Sequence, residues 1–278
     1  MTEEQKEIPE SEAEKAAVAL EAVIPVGEHE EEGSEDGQKV RRKGVLLLPS
    51  LFTLGALFAG FYAIIAAMNG RFEAAAIAIF VAMFLDGLDG RVARMTHTQS
   101  AFGAELDSLS DMVSFGVAPA LVVFSWGLGP LGRFGWAVAF IYVAGAAIRL
   151  ARFNTQIGQV AKEVFMGLAS PPAAALVAAM VWLCHLNGWG GENIPLELSI
   201  VAGLVTAAAG LLMVTNIPYH SFKGLDGSKG RVPFIMVLVA VLIISIIMID
   251  PPLVLLLMAA AYAASGPVMF LLKKPAAK

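Results

Sequence analysis

From Gly44 onward the chain is almost continuously apolar, interrupted only by short polar or Gly/Pro stretches. Such a chain has few ways to fold. Inside a bilayer no water is available to satisfy backbone N–H and C=O groups, so the backbone must pair with itself, and single apolar segments do so as helices. Spanning the hydrocarbon takes about 20 apolar residues, and eight segments qualify, near 46–69, 73–90, 105–127, 134–153, 166–186, 197–217, 232–249 and 252–272. The pattern predicts an all-α integral membrane protein, a bundle of about eight transmembrane helices. Only 15% of residues are charged and 57% are hydrophobic, whereas a soluble domain carries about 25% charge. A soluble globular enzyme is excluded. The single cysteine, Cys184, permits neither an intrachain disulfide nor a cysteine-based zinc site.

The formal charge of −5 divides unevenly along the chain. Residues 1–37 hold 13 of the 24 acids and two lysines, net −11, leaving +6 for the remainder. Residues 1–43 are therefore expected to be an acidic, largely disordered cytoplasmic tail, too poor in apolar surface to offset its ordering entropy. The tail ends in a basic anchor, Lys39, Arg41, Arg42 and Lys43. Its start lacks the basic stretch and apolar run of a secretory signal. With the N-terminus cytoplasmic, 15 Lys and Arg residues from Lys39 onward fall on the cytoplasmic side, and only Arg71 and Arg133 on the other. That asymmetry satisfies the positive-inside rule and supports an even number of crossings, N-in and C-in.

After residue 37 only 11 acids remain, and five of them lie within 26 residues: Asp86, Asp89, Glu105, Asp107 and Asp111. Ionisable groups in or beside membrane spans are costly and mark function. Asp86 and Asp89 are three apart, Asp107 and Asp111 four apart, so each pair shares a helix face; Glu105 points elsewhere. A hairpin between the second and third spans brings all four aspartates together at the cytoplasmic end. Four carboxylates repel one another unless cations neutralise them. All-oxygen donors suit Mg²⁺ or Mn²⁺ rather than zinc, and two such ions would leave a near-neutral site able to accept a phosphorylated ligand.

Gly87 and Gly90 flank Asp89, and Gly103 lies one turn before Asp107. Mid-helix glycines cost about 1 kcal/mol each relative to Ala, so their grouping beside acids suggests space for a phosphate or nucleotide to approach. Close helix packing is the rival explanation, and the better one for the other glycines. Arg94 offers a planar fork to phosphate oxygens. Ser170 opens a Ser-Pro-Pro break that either lines the pocket or kinks its helix. His97 is a loop histidine that either touches phosphate or is solvated.

Written out, the window reads Asp86-x2-Asp89-Gly90-x2-Ala93-Arg94-x8-Gly103-x3-Asp107-x3-Asp111. It resembles, at every fixed position, the signature of the CDP-alcohol phosphotransferase family. The continuation from Asp107 through Ser114-Phe115-Gly116 to Ala120 resembles the phosphatidylserine synthase branch, as do Ile148-Arg149-Leu150-Ala151-Arg152-Phe153-Asn154 and Asn216-Ile217-Pro218-Tyr219-x-Ser221-Phe222-Lys223. Two positions depart from that branch: Ser50 follows Pro49 where Asn is usual, and Ala169 stands where proline is common.

The resemblance implies a six-span core over 44–231, followed by two additional helices over 232–278. It implies transfer of the phosphatidyl group of CDP-diacylglycerol to L-serine, giving phosphatidylserine and CMP, by a homodimer in the prokaryotic cytoplasmic membrane with its site facing the cytoplasm. Asp86, Asp89 and Asp107 would hold two Mg²⁺ or Mn²⁺ ions, with Asp111 sharing in coordination and serving as base. Gly90, Ala93, Arg94 and Gly103 would line the CDP site. Arg149 and Arg152, with Lys223 behind them, are candidates for binding the acceptor. The same signature is compatible with choline, glycerol 3-phosphate or inositol phosphate as acceptor. A divalent-cation transporter is the distant alternative, and it would spread its acids through the membrane depth. No nucleic-acid partner is expected.

Overall fold

A computed structural model describes residues 47–96, 101–156, 164–220 and 234–272. The acidic tail, His97 and Lys223 lie outside the described residues. The described chain is mostly helical, and five of its helical stretches are long and apolar enough to cross a membrane, which makes it a multi-pass membrane protein.

Helices α1 (Leu47–Met68) and α2 (Phe72–Thr96) form the first hairpin, turning at Gly70 with a positive φ of 70°. At that turn Arg71 donates to the Tyr62 hydroxyl and lies over its ring. The third span begins as α3 (Ala101–Asp111), widens into a π-turn over Met112–Val117, continues as α4 (Ala118–Val123), and ends in a second π-turn and a short 3₁₀ turn at Leu131. Then follow α5 (Arg133–Gln156), α6 (Ser170–Leu186), α7 (Leu196–Val214), α8 (Phe234–Ile247) and α9 (Pro251–Leu272). Observed ends differ from the hydropathy expectation by a few residues: α2 runs on to Thr96, and the third span starts at Ala101 instead of near 105. Polar turns at a membrane face remain helical because helix, unlike an irregular loop, satisfies their backbone groups.

An all-α expectation misses one detail. Strands β1 (Val164–Met166) and β2 (Pro218–His220) pair antiparallel, with Phe165 opposite Tyr219. Pro171, Pro172 and Pro218 end helical pairing on either side, and the freed backbone groups find one another; the Gly167 N–H continues the pairing to the Ile217 carbonyl at 2.9 Å. Gly167 has a φ of 82°, and a Cβ there would sit 2.4 Å from the Met213 carbonyl oxygen.

Small residues set the helix spacing. A Cβ on Gly60 would meet the Ser114 backbone at 2.7 Å, and one on Gly145 the Gly210 carbonyl oxygen at 2.3 Å, so α1 meets the π-turn and α5 meets α7 backbone to backbone. Such contacts are how membrane helices gain packing energy when hydrophobic burial offers little. Helix α9 is not peripheral: it lies along α6, its Gly266 faces the Tyr219 ring, and the Tyr219 hydroxyl donates to the Ala263 carbonyl at 2.9 Å.

Candidate active site

The start of α1, the end of α2 and the start of α3 meet at one end of the bundle. Asp86 and Asp89 from α2 and Asp107 from α3 each place a carboxylate oxygen within 4.8 Å of the others. Asp111 joins through a direct contact with Asp86. Helical spacing brings each pair onto one face, and the α2–α3 reversal sets the pairs against each other, as the sequence predicted. Glu105 is exposed and turned away. The acids gather at one end of the bundle instead of being spread along it.

Burial separates these groups from surface ion pairs. Asp89 is 6% exposed, while Arg91 and Arg94 are exposed. Its carboxylate instead accepts a 2.8 Å hydrogen bond from the Thr53 hydroxyl of α1. Nothing in the local pattern around Thr53 signals this, because the bond spans 36 residues. The Ser110 hydroxyl donates to the Thr53 carbonyl and the Ser114 hydroxyl to the Ala56 carbonyl, at 3.1 and 3.0 Å. This pair of bonds fastens the acid-bearing third span to α1. The π-turn begins immediately after Asp111, so Asp107 and Asp111 keep α-helical register while the wider turn seats Ser114 against Gly60.

The donor set fits divalent cations. Unit charges at the 4.8 Å spacing repel by about 3 kcal/mol per pair at an effective dielectric of about 20. One oxygen of Asp111 is buried with no hydrogen-bond partner; a buried polar atom left so needs an explanation such as an ion. All the donors are carboxylates, which suit hard ions.

The glycines beside the acids are unlike those of the helix crossings. A Cβ on Gly87 would meet nothing within 4 Å, and one on Gly90 only the Arg94 Nη1 at 3.8 Å. Neither serves helix packing, so the face beside Asp89 is open to a ligand, with Arg94 alongside. Ala93 is half-buried next to it and Gly103 half-buried on α3.

A second group adjoins Asp111. Arg149, half-buried near the end of α5, lies close enough to Asp111 to feel its charge, and its Nη1 donates to the buried Ser170 hydroxyl at 2.6 Å. Ser170, at the start of α6, is thereby tied to the arginine that neighbours the carboxylate cluster. Ala169 precedes it at φ −67° and ψ 146°, a conformation proline would also adopt, so the departure from the branch pattern costs no geometry. Arg152 is half-buried one turn on. Asn154, from the same stretch, donates its amide to the Ser108 hydroxyl at 3.0 Å and so ties α5 to the residue beside Asp107.

Comparison with known proteins agrees with this geometry. The family model for CDP-alcohol phosphatidyltransferases matches residues 46–217. A protein of Helicobacter pylori named CDP-diacylglycerol–serine O-phosphatidyltransferase is 40% identical over 194 residues, covering 69% of this chain and 79% of the relative. One of the same name from Mycobacterium bovis is 35% identical over 215 residues, with 74% and 72% covered. An archaetidylserine synthase of Methanothermobacter thermautotrophicus is 31% identical over 185 residues, with 66% and 73% covered. A family match over more than half the chain, in a region that includes the carboxylate cluster, places this chain in the CDP-alcohol phosphatidyltransferase family.

Proposed function

We propose that this chain is a CDP-diacylglycerol–serine O-phosphatidyltransferase, transferring the phosphatidyl group of CDP-diacylglycerol to the hydroxyl of L-serine to give phosphatidylserine and CMP. The observation that carries the reading is the meeting of three carboxylates within 4.8 Å, beside two uncovered glycines and an arginine, at one end of the bundle. The names of the relatives at 35–40% identity support serine as the acceptor.

In this reading Asp86, Asp89 and Asp107 hold two Mg²⁺ or Mn²⁺ ions, with Asp111 sharing in coordination. When bound, the ions neutralise the pyrophosphate and the charge developing on the departing CMP. The chain's own residues do the rest. Gly90 and Gly103 leave room for the cytidine diphosphate backbone, Ala93 adds a small wall, and Arg94 reaches phosphate oxygens. Thr53 orients Asp89. The serine Oγ attacks the phosphatidyl phosphorus as the bond from that phosphorus to the bridging oxygen breaks; the Oγ proton passes to Asp111, and CMP leaves with the electron pair. Arg149 and Arg152, with Lys223, bind the acceptor's carboxylate. Little else is asked of the protein, because phosphoryl transfer depends on positioning and electrostatics.

The same reading extends to the architecture. The start of α1, the end of α2, the start of α3, the end of α5, the start of α6 and the latter half of α9 gather at the site end, as alternating spans require. This supports eight crossings with both termini on the site's side, the cytoplasmic face of the prokaryotic inner membrane. Residues 44–231 form the six-span core, the last two helices are additions to it, and the active form is a homodimer.

Purified protein given CDP-diacylglycerol, a divalent ion and a panel of labelled alcohols is expected to release CMP with serine and to yield phosphatidylserine. Preferential product from choline, glycerol 3-phosphate or inositol phosphate would overturn the choice of acceptor. Thr53→Val, which keeps the shape and removes the donor, is expected to weaken Mn²⁺ binding by about 10- to 100-fold, with Thr53→Ser restoring it.

A further inference from the structure

The third span and α5 run antiparallel but meet closely over only part of their length. At the π-turn they are in tight contact. Gly116 is buried against α5, where a Cβ added to it would lie 3.2 Å from the Ala146 Cβ, and the buried Tyr142 hydroxyl donates to the Phe115 carbonyl at 3.1 Å. Toward the carboxylates the contact thins, since α5 packs on the π-turn and α4 far more than on α3. What crosses there is a pair of half-buried side chains. The Asn154 amide donates to the Ser108 hydroxyl at 3.0 Å, and that hydroxyl has the Ala104 carbonyl at 3.0 Å and the Asn154 Oδ1 at 3.2 Å as its acceptors.

Between these two crossings lie Asp111 on the third span and Arg149 on α5. Ser108 and Asp111 are three apart and share a helix face, as do Tyr142, Ala146 and Arg149 at intervals of four and three. The chain order Ser108, Asp111, Phe115 on one element runs against Asn154, Arg149, Tyr142 on the other, so the base and the arginine fall in the same bracketed interval. On its far side the guanidinium is anchored by Ser170 at 2.6 Å. Small or apolar residues would serve helix association in a membrane well enough, and a half-exposed neutral pair adds little stability because both partners could bond water instead. Its use is geometric. We propose that Ser108 and Asn154 form a strut that sets the separation of α3 and α5 and thereby confines the acceptor to the length of serine. The inference rests on the reading of Asp111 as base and Arg149 as the carboxylate-binding group. A serine held by both must reach from the third span to α5 through the short carbon chain joining its hydroxyl to its carboxylate. A longer acceptor needs the two helices farther apart, which the strut opposes at one end and the Gly116–Ala146 contact at the other.

The test is steady-state kinetics of the purified full-length enzyme with serine and with homoserine, one methylene longer, in Ser108→Ala, Asn154→Ala, the double variant, Ser108→Thr and Arg149→Lys. Each alanine variant is expected to raise the serine KM about fivefold, the usual effect of losing one neutral hydrogen bond, and to narrow the preference for serine over homoserine by a similar factor. The CDP-diacylglycerol KM and the kcat with serine should stay within about twofold, as for loss of uniform binding. The double variant should lose no more than either single one, because the two residues act as one unit, and Ser108→Thr, which keeps the hydroxyl, should retain the wild-type pattern. A serine KM and acceptor preference unchanged in both alanine variants, with a raised serine KM in Arg149→Lys, overturns the strut and leaves the acceptor reading standing. An unchanged serine KM in Arg149→Lys overturns the acceptor reading, and the inference with it. A parallel shift of both substrates' KM and of kcat, with the preference for serine kept, makes the pair a structural tie alone and overturns the inference, as would additive losses in the double variant.

Discussion

Asp111→Asn is expected to slow turnover by about 10²- to 10⁴-fold, the usual contribution of a general base, while CDP-diacylglycerol continues to bind. The substitution is nearly isosteric, so the contact with Asp86 keeps the side chain in place; only the capacity to accept the serine proton is lost. Asp111 sits one turn beyond Asp107, on the side nearer Arg149, where an acceptor bound by that arginine would present its hydroxyl. Single-turnover release of CMP from enzyme loaded with CDP-diacylglycerol, beside a binding titration of the same substrate, reads the two effects separately. Near-normal turnover in the variant would remove Asp111 from the role of base.

Asp107→Asn is expected to fail differently. It removes one of the three carboxylates that converge within 4.8 Å, so the affinity for divalent ion and for CDP-diacylglycerol should fall together, and turnover by about 10³-fold. The metal-free protein should respond in the opposite sense. Like charges in one site oppose folding, so deleting one of them relieves repulsion of about 3 kcal/mol per ionised pair at an effective dielectric of about 20. In the presence of chelator the variant should therefore melt at a temperature equal to or above that of the wild type, and in excess Mn²⁺ below it, because binding to the folded state stabilises by mass action. A variant that melts lower than wild type under both conditions would mark Asp107 as a packing residue.

The carboxylate cluster was legible before any coordinates because its spacing is local. Three- and four-residue intervals put each pair on one helix face, and a hairpin does the rest. The two kinds of glycine were legible only in part. Gly87 and Gly90 proved open-faced, and Gly60, Gly145 and Gly210 packed, but sequence distinguishes them only by proximity to acids. What escaped was long-range. The Thr53–Asp89 bond joins residues 36 apart, the Ser110 and Ser114 bonds to α1 span 57 and 58, and a hydroxyl carries no signal of a partner so distant in the chain. The Ser170 contact with Arg149 is equally long-range, across 21 residues, and nothing in the Ser-Pro-Pro break announces it. The β1–β2 pair is too short for alternation to reveal, and hydropathy describes α9 as a membrane helix without indicating that its Ala263 and Gly266 meet Tyr219.

The central claim is that the aspartates at the joint of α2 and α3 bind divalent ions on which the lipid-linked pyrophosphate is held. Electron paramagnetic resonance of Mn²⁺ titrated into chelator-stripped protein tests it most directly. Saturable binding is expected, strengthened by CDP-diacylglycerol and lost in both Asp89→Asn and Asp107→Asn. Mn²⁺ binding that is indifferent to those two substitutions would contradict it.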